Sequence, residues 1–165
     1  SFPTRRSSDL YGVKNSDDAI FREANYIIVP TDANTFHGIE LCKGIGETLE
    51  FARFSSLPPK AHDEMIGFVS QLTHIIAMCL MTCSNSEHLV DYTGDSFRDL
   101  TRIARINENM WSELFLLNKD TLLQEIRIFS DELNEIYDIL NREDVDALKD
   151  KMRLSTARRA LFDKK

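Results

Sequence analysis

Two short stretches of this chain concentrate the side chains that could hold an anionic ligand. The first is residues 93–104, TGDSFRDLTRIA. On a helix starting near Ser96, Arg98 and Arg102 stand one turn apart on one face, with Asp99 one step round. Two guanidinium groups so placed form a fork for carboxylates, which two lysines would not reproduce. Asp99 is placed to hold one arginine when no ligand is there. Gly94, just before the helix, would let backbone approach a ligand closely. Spacing alone favours a solvated, ion-paired face, because exposed ion pairs are commonplace. The second stretch is His62-Asp63 followed by Ser70-Gln71-Leu72-Thr73-His74. Ser70 and His74 are four residues apart and point from one helical face, among Phe68, Val69, Leu72, Ile75 and Ile76. Polar groups in that company need partners or a ligand. His74 can donate to a carboxylate or a carbonyl. A satisfied core histidine is the simpler reading of its spacing. His62-Asp63 follows Pro58-Pro59 and reads as a helix N-terminus, where Asp63 suits the dipole. Trp111, the only tryptophan, is either core or the wall of a pocket.

Helices must carry most of these groups. Residues 26–29 (YIIV) form a short β-branched run stopped by Pro30, which predicts a strand. A helix over 34–46 follows, with Asn34 as cap and Gly46 at its end. Residues 48–54 (TLEFARF) show a period-two pattern and predict a second strand. Such a β-α-β unit cannot bury both faces of its sheet alone. After Pro58-Pro59 only helical patterns remain: 59–82, a short element over 87–92, 96–105, a helix to Leu117 capped by Asn107, a long helix to Leu140 opened by Asn118 or Asp120, and 145–161 capped by Asp144. The long helix repeats Leu122, Ile126, Phe129, Leu133, Ile136 and Leu140 at steps of four and three, a continuous apolar stripe. So few residues bury little alone, and pairing of two copies through the long helices is expected.

Composition narrows the partners. Hydrophobic residues make up 42% of the chain and charged ones 28%, with 6 Gly and 4 Pro, too few turn residues for an all-β fold. A net charge of −7 argues against nucleic acid, although converging arginines can still hold an anion. Cys79 and Cys83, one turn apart in an apolar run, read with Cys42 as buried reduced thiols of a cytoplasmic protein. No Cys or His pair stands where it would complete a metal site with them. Residues 65–83 are apolar enough to suggest a membrane helix, but Ser70, Gln71, Thr73 and His74 favour a core helix and no membrane partner. The first ten residues, SFPTRRSSDL, look like one reading frame of a common sequencing adapter and are set aside.

The order HD, SQLTH, GDSFRDLTRIA, MW and LLNK resembles the helical domain of the prephenate dehydrogenases. That family's pattern runs HD, SHLPH, a Gly-rich step into F-[RK]-D-x-T-R-I-A, then MW and an I/LF-x-x-N tail. Upstream, ANYIIVPT is similar to the end of the family's nucleotide domain, so the resemblance covers about residues 12–162. It implies a mainly α fold. Residues 58–165 would form a helical dimerisation domain of the 6-phosphogluconate dehydrogenase C-terminal-like type. Residues 11–57 would be a short β-α-β remnant of a Rossmann domain. It also implies oxidation of prephenate with NAD or NADP, yielding 4-hydroxyphenylpyruvate and carbon dioxide on the route to tyrosine, by a cytoplasmic homodimer. An arogenate dehydrogenase and a non-enzymatic helical binding module are the competing readings.

By the resemblance, Arg102 is the principal ligand of the substrate carboxylate. His74 lines the same pocket, as do Ser70, Arg98, Asp99 and Trp111. Gln71 and Thr73 depart from the family's His and Pro, which puts substrate preference in doubt. The catalytic His and the Gly-rich cofactor loop are expected upstream of Tyr11. The NAD or NADP would be bound there, and this chain alone is expected to be inactive.

Overall fold

The computed structural model describes residues 19–22 and 24–162. The adapter-like residues 1–10 lie outside them. The chain divides into two compact units, one up to Ile66 and one from Gly67.

In the first unit a short helix α1 (Ala19–Arg22) precedes strand β1 (Asn25–Ile28), helix α2 (Phe36–Thr48), strand β2 (Arg53–Ser56) and helix α3 (Pro59–Ile66). The strands pair in parallel, Tyr26 opposite Phe54, which requires a crossover such as α2. Thr35 caps α2: its Oγ1 accepts from the Gly38 amide at 3.1 Å. Asn34, the expected cap, instead accepts from the Thr31 amide and hydroxyl, so it shapes the preceding turn. Gly46 lies inside the helix and lets it settle on the sheet. A Cβ there would come within 2.6 Å of the Phe54 ring and 2.7 Å of the Tyr26 ring. Those rings and Phe51 form an aromatic cluster, with Tyr26 and Phe51 centroids 4.7 Å apart.

The second strand begins later than its pattern suggests. Thr48 stays helical, its hydroxyl donating to the Gly44 carbonyl, and the chain turns at Glu50 with φ 58°. Pairing starts only after the Ala52 amide has bonded to the Ala24 carbonyl. Every residue of β2 is exposed, as expected of a two-stranded sheet with one helix to cover it.

The second unit is helical throughout. A π-helical segment (Gly67–Leu72) leads into α4 (Thr73–Thr82), then α5 (Leu89–Tyr92), α6 (Asp95–Thr101), a 3-10 turn (Arg102–Ala104), α7 (Glu108–Leu117), α8 (Lys119–Asn141) and α9 (Val145–Ala160). Asn107 and Asp144 cap α7 and α9 as expected, accepting from the amides of Met110 and Ala147. The core gathers Leu72, Ala77, Leu122 and Ile139. The π segment rests on α8, where Gly67 leaves room for the Thr121 methyl: a Cβ would stand 3.1 Å from it.

The stripe on α8 is only partly buried within one chain. Leu122 is buried, but Phe129, Leu133 and Leu140 are exposed, and Ile139 is buried in place of Leu140. At about 100° per residue Leu140 returns to the face of Leu122. At that end, however, the partner is α9, which lies about one residue round. The cysteines also differ from expectation. All three are free, but Cys42, Cys79 and Cys83 are exposed. Cys79 points away from the buried Ala77 side of α4, and Cys83 stands just past its end.

Lys151 fastens α9 to α8. Its Nζ donates to Glu135 Oε2 at 2.7 Å and to Glu132 Oε2 at 3.0 Å. These bonds, Glu135's foremost, hold the amine above its ordinary 10.5. A raised folded value means the contribution is complete below the unfolded value and is lost as pH climbs through the folded one. Thermal unfolding followed from about pH 8 to pH 12 should therefore show an alkaline fall in midpoint, and Lys151→Met should flatten it. An identical profile in the variant would remove Lys151 from that role.

Candidate functional site

The site is organised by the π segment. A π turn inserts a residue into the helical ladder and frees a carbonyl. Within that segment the Ser70 carbonyl takes two side-chain donors. It accepts from Thr73 Oγ1 at 2.7 Å and from His74 Nδ1 at 2.8 Å. A carbonyl only accepts, so Nδ1 carries the proton and Nε2 is left to meet a ligand, as an acceptor when neutral and a donor when protonated. Ser70 thus serves His74 through its backbone. The imidazole lies almost flat on the Trp111 indole, with centroids 3.7 Å apart and planes 30° from parallel. Phe115 continues the row, 5.4 Å from Trp111. His74 and Trp111 are both half-buried. The pair presents an apolar, planar surface edged by one polar nitrogen, which suits a ring bearing a polar substituent.

The arginines come from the segment packed beside α4. Both α6 and the 3-10 turn lie against that helix. Arg98 is on α6, but Arg102 opens the 3-10 turn instead of continuing the helix. Thr101 contributes to the change, since its hydroxyl donates back to the Phe97 carbonyl at 2.7 Å. Arg98, Asp99 and Arg102 are all exposed. Among the described residues none of the three makes a salt bridge, so Asp99 does not hold either arginine. Two uncommitted guanidinium groups in a chain of net charge −7 are available to an anion. Gly94 needs neither special backbone nor space. Its φ is −88°, and a Cβ would meet nothing within 4 Å.

His62 and Asp63 lie on α3, with His62 Nδ1 3.0 Å from Asp63 Oδ1. Among the described residues no group of three or more His, Cys, Asp or Glu could hold a metal ion. The loop from β1 into α2, residues 29–35, holds no glycine, and Gly44 and Gly46 lie within the helix. The described residues therefore do not form a Gly-rich cradle for a dinucleotide phosphate. An open, mostly apolar groove along α2, lined by Leu41, Ile45 and Leu49, contains none of the residues singled out from sequence. The sequence marks Gln71 as a departure from a motif and as one of the polar residues that favour a core helix; the fold makes it the one polar residue among the buried described residues.

Residues 58–154 match the family model described as prephenate dehydrogenase, dimerization domain. The chain is 29% identical over 142 residues to prephenate dehydrogenase of Bacillus subtilis, covering 83% of this chain and 38% of that protein. It is 34% identical over 143 residues to prephenate dehydrogenase of Lactococcus lactis, covering 84% of this chain and again 38% of the relative. Thus it spans about two fifths of the length of these relatives. Among solved structures it is similar to prephenate dehydrogenase from Aquifex aeolicus in complex with hydroxyphenyl propionate and NAD+. The TM-score is 0.83 at 28% identity, over 92% of this chain and 55% of that one.

Proposed function

The chain belongs to the prephenate dehydrogenase family through its dimerization domain, and from that premise we propose that it forms the helical, substrate-holding part of an enzyme that oxidises prephenate with NAD or NADP. The observation that carries this reading is the His74–Trp111 stack, at 3.7 Å, with the His74 helix packed against the turn that bears Arg102, which makes no salt bridge among the described residues. Prephenate has a six-membered ring and two carboxylates. The indole face takes the ring, and Arg102, with Arg98, takes a carboxylate in a charge-assisted pair. His74 Nε2 meets a polar substituent of the ring system. Asp99, on α6 between the two arginines, keeps like substrates in register by repelling a misplaced carboxylate.

The dinucleotide is the hydride acceptor when bound. The described residues would bind and orient the substrate and exclude water from it. We also propose that two copies pair through the exposed apolar face of α8. A cytoplasmic setting fits. The helical run Pro59–Thr82 is apolar enough to cross a membrane by length and composition, yet it carries Gln71, whose amide is bonded to other helices.

The test joins this chain to the nucleotide domain of the Bacillus subtilis relative. Reduced dinucleotide should accumulate when prephenate is added. A folded, dinucleotide-binding fusion that produces none would remove the enzymatic reading and leave a binding module.

A further inference from the structure

We infer that Gln71 is a positioning residue for the substrate pocket: its buried amide ties the helix carrying Ser70 and His74 to the helix carrying Trp111, and so fixes the two rings against each other. The inference rests on the reading of His74 and Trp111 as pocket walls. Gln71 is 4% exposed. A primary amide has two donor hydrogens and an accepting oxygen, and burial without partners is costly. Here both ends are used. Nε2 donates to the Leu114 carbonyl at 3.0 Å, and Oε1 accepts from Asn118 Nδ2 at 2.9 Å.

The choice of partners gives these bonds their meaning. Leu114 lies in the last turn of α7, where carbonyls run out of intrahelical donors. Gln71 supplies one from another helix. Trp111 is three residues before Leu114 on the same helix, so it shares the anchored turn and face. Asn118 stands at the junction of α7 and α8, which fixes the end of α7 from the other side. On the first helix, Gln71 sits between Ser70, whose carbonyl holds His74 Nδ1, and His74 itself. One side chain therefore sets the separation of the two segments whose rings stack at 3.7 Å. An apolar residue at 71 would fill the space but leave the Leu114 carbonyl and the Asn118 amide without this partner.

Trp111, the only tryptophan, reports on the stack in the chain as it stands. A protonated imidazole in contact with an excited indole quenches its emission. Lowering the pH from about 8 to about 5 should quench Trp111, and His74→Gln should abolish the effect. Gln71→Leu should lose most of the quench amplitude while its far-UV circular dichroism stays helical, and Gln71→His, which can still donate and accept, should recover part of it. A folded Gln71→Leu with full amplitude, or a wild-type chain with no His74-dependent quench, would overturn the inference. If Gln71→Leu does not fold, Asn118→Leu decides: lost amplitude supports the role and full amplitude overturns it. Titration with hydroxyphenyl propionate separates the two readings. An intact quench with no ligand binding removes the substrate pocket but leaves Gln71 as the anchor of the ring pair.

Discussion

In the chain joined to the nucleotide domain of its Bacillus subtilis relative, Arg102→Ala should raise the KM for prephenate by about tenfold to a hundredfold and leave kcat nearly unchanged. A hydrogen bond to a charged group contributes about 1.5–3 kcal/mol, and each tenfold in affinity is about 1.4 kcal/mol. The loss falls on KM because a carboxylate gripped equally before and during hydride transfer contributes uniform binding. Arg102→Lys should be intermediate, since it keeps the charge but not the planar fork. Arg102 makes no ion pair among the described residues, so its removal leaves no orphaned acid behind. That keeps the kinetic effect apart from a folding effect, and unchanged thermal unfolding should accompany it. A KM equal to the parent's would take Arg102 out of the site.

The second large effect concerns assembly. Phe129, Leu133, Tyr137 and Leu140 are exposed along α8 at steps of four and three, one apolar stripe on a 23-residue helix. In a two-fold dimer each copy would cover the other's stripe, with Leu133 near its middle. Leu133→Glu would place an unpaired carboxylate there. The penalty for burying it is several kcal/mol, enough to weaken the dimer by about a hundredfold or more. Sedimentation equilibrium should find the parent dimeric and the variant monomeric at the same concentration. A variant that remains as tightly dimeric would move the interface elsewhere.

Local chemistry made much of this fold legible. The caps at Asn107 and Asp144 act on amides three residues away, so sequence alone exposes them. The stripe on α8 follows from periodicity, and the long helix runs much as it predicts. What escaped depends on distant parts of the chain. The apolar alternation at Leu49 and Phe51 belongs to a turn and an aromatic cluster, because Glu50 breaks the chain before the strand starts. Ile139 replaces Leu140 in the core because α9 approaches from the side. Thiols in an apolar run proved exposed because α4 buries only one of its faces.

The site shows the same division. The motif pointed to His74, Arg102 and Trp111, but spacing could not reveal that His74 stacks on Trp111, thirty-seven residues away. Nor could it reveal the Gln71–Asn118 bond, which crosses 47 residues. The His74 tautomer is fixed by the Ser70 carbonyl, which lies in the π segment. That segment has no sequence signature beyond polar residues in an apolar run. Arg98 and Arg102 were expected on one helical face, whereas the chain tightens at Arg102.

We propose that one pocket uses the Trp111 face for the substrate's six-membered ring and the Arg102 guanidinium for its carboxylate. Titrating hydroxyphenyl propionate into the chain while following Trp111 emission tests it most directly. A saturable change that weakens at least tenfold in Arg102→Ala, and with rising salt, is the predicted result. Saturable binding of equal strength in the parent and in Arg102→Ala would contradict it.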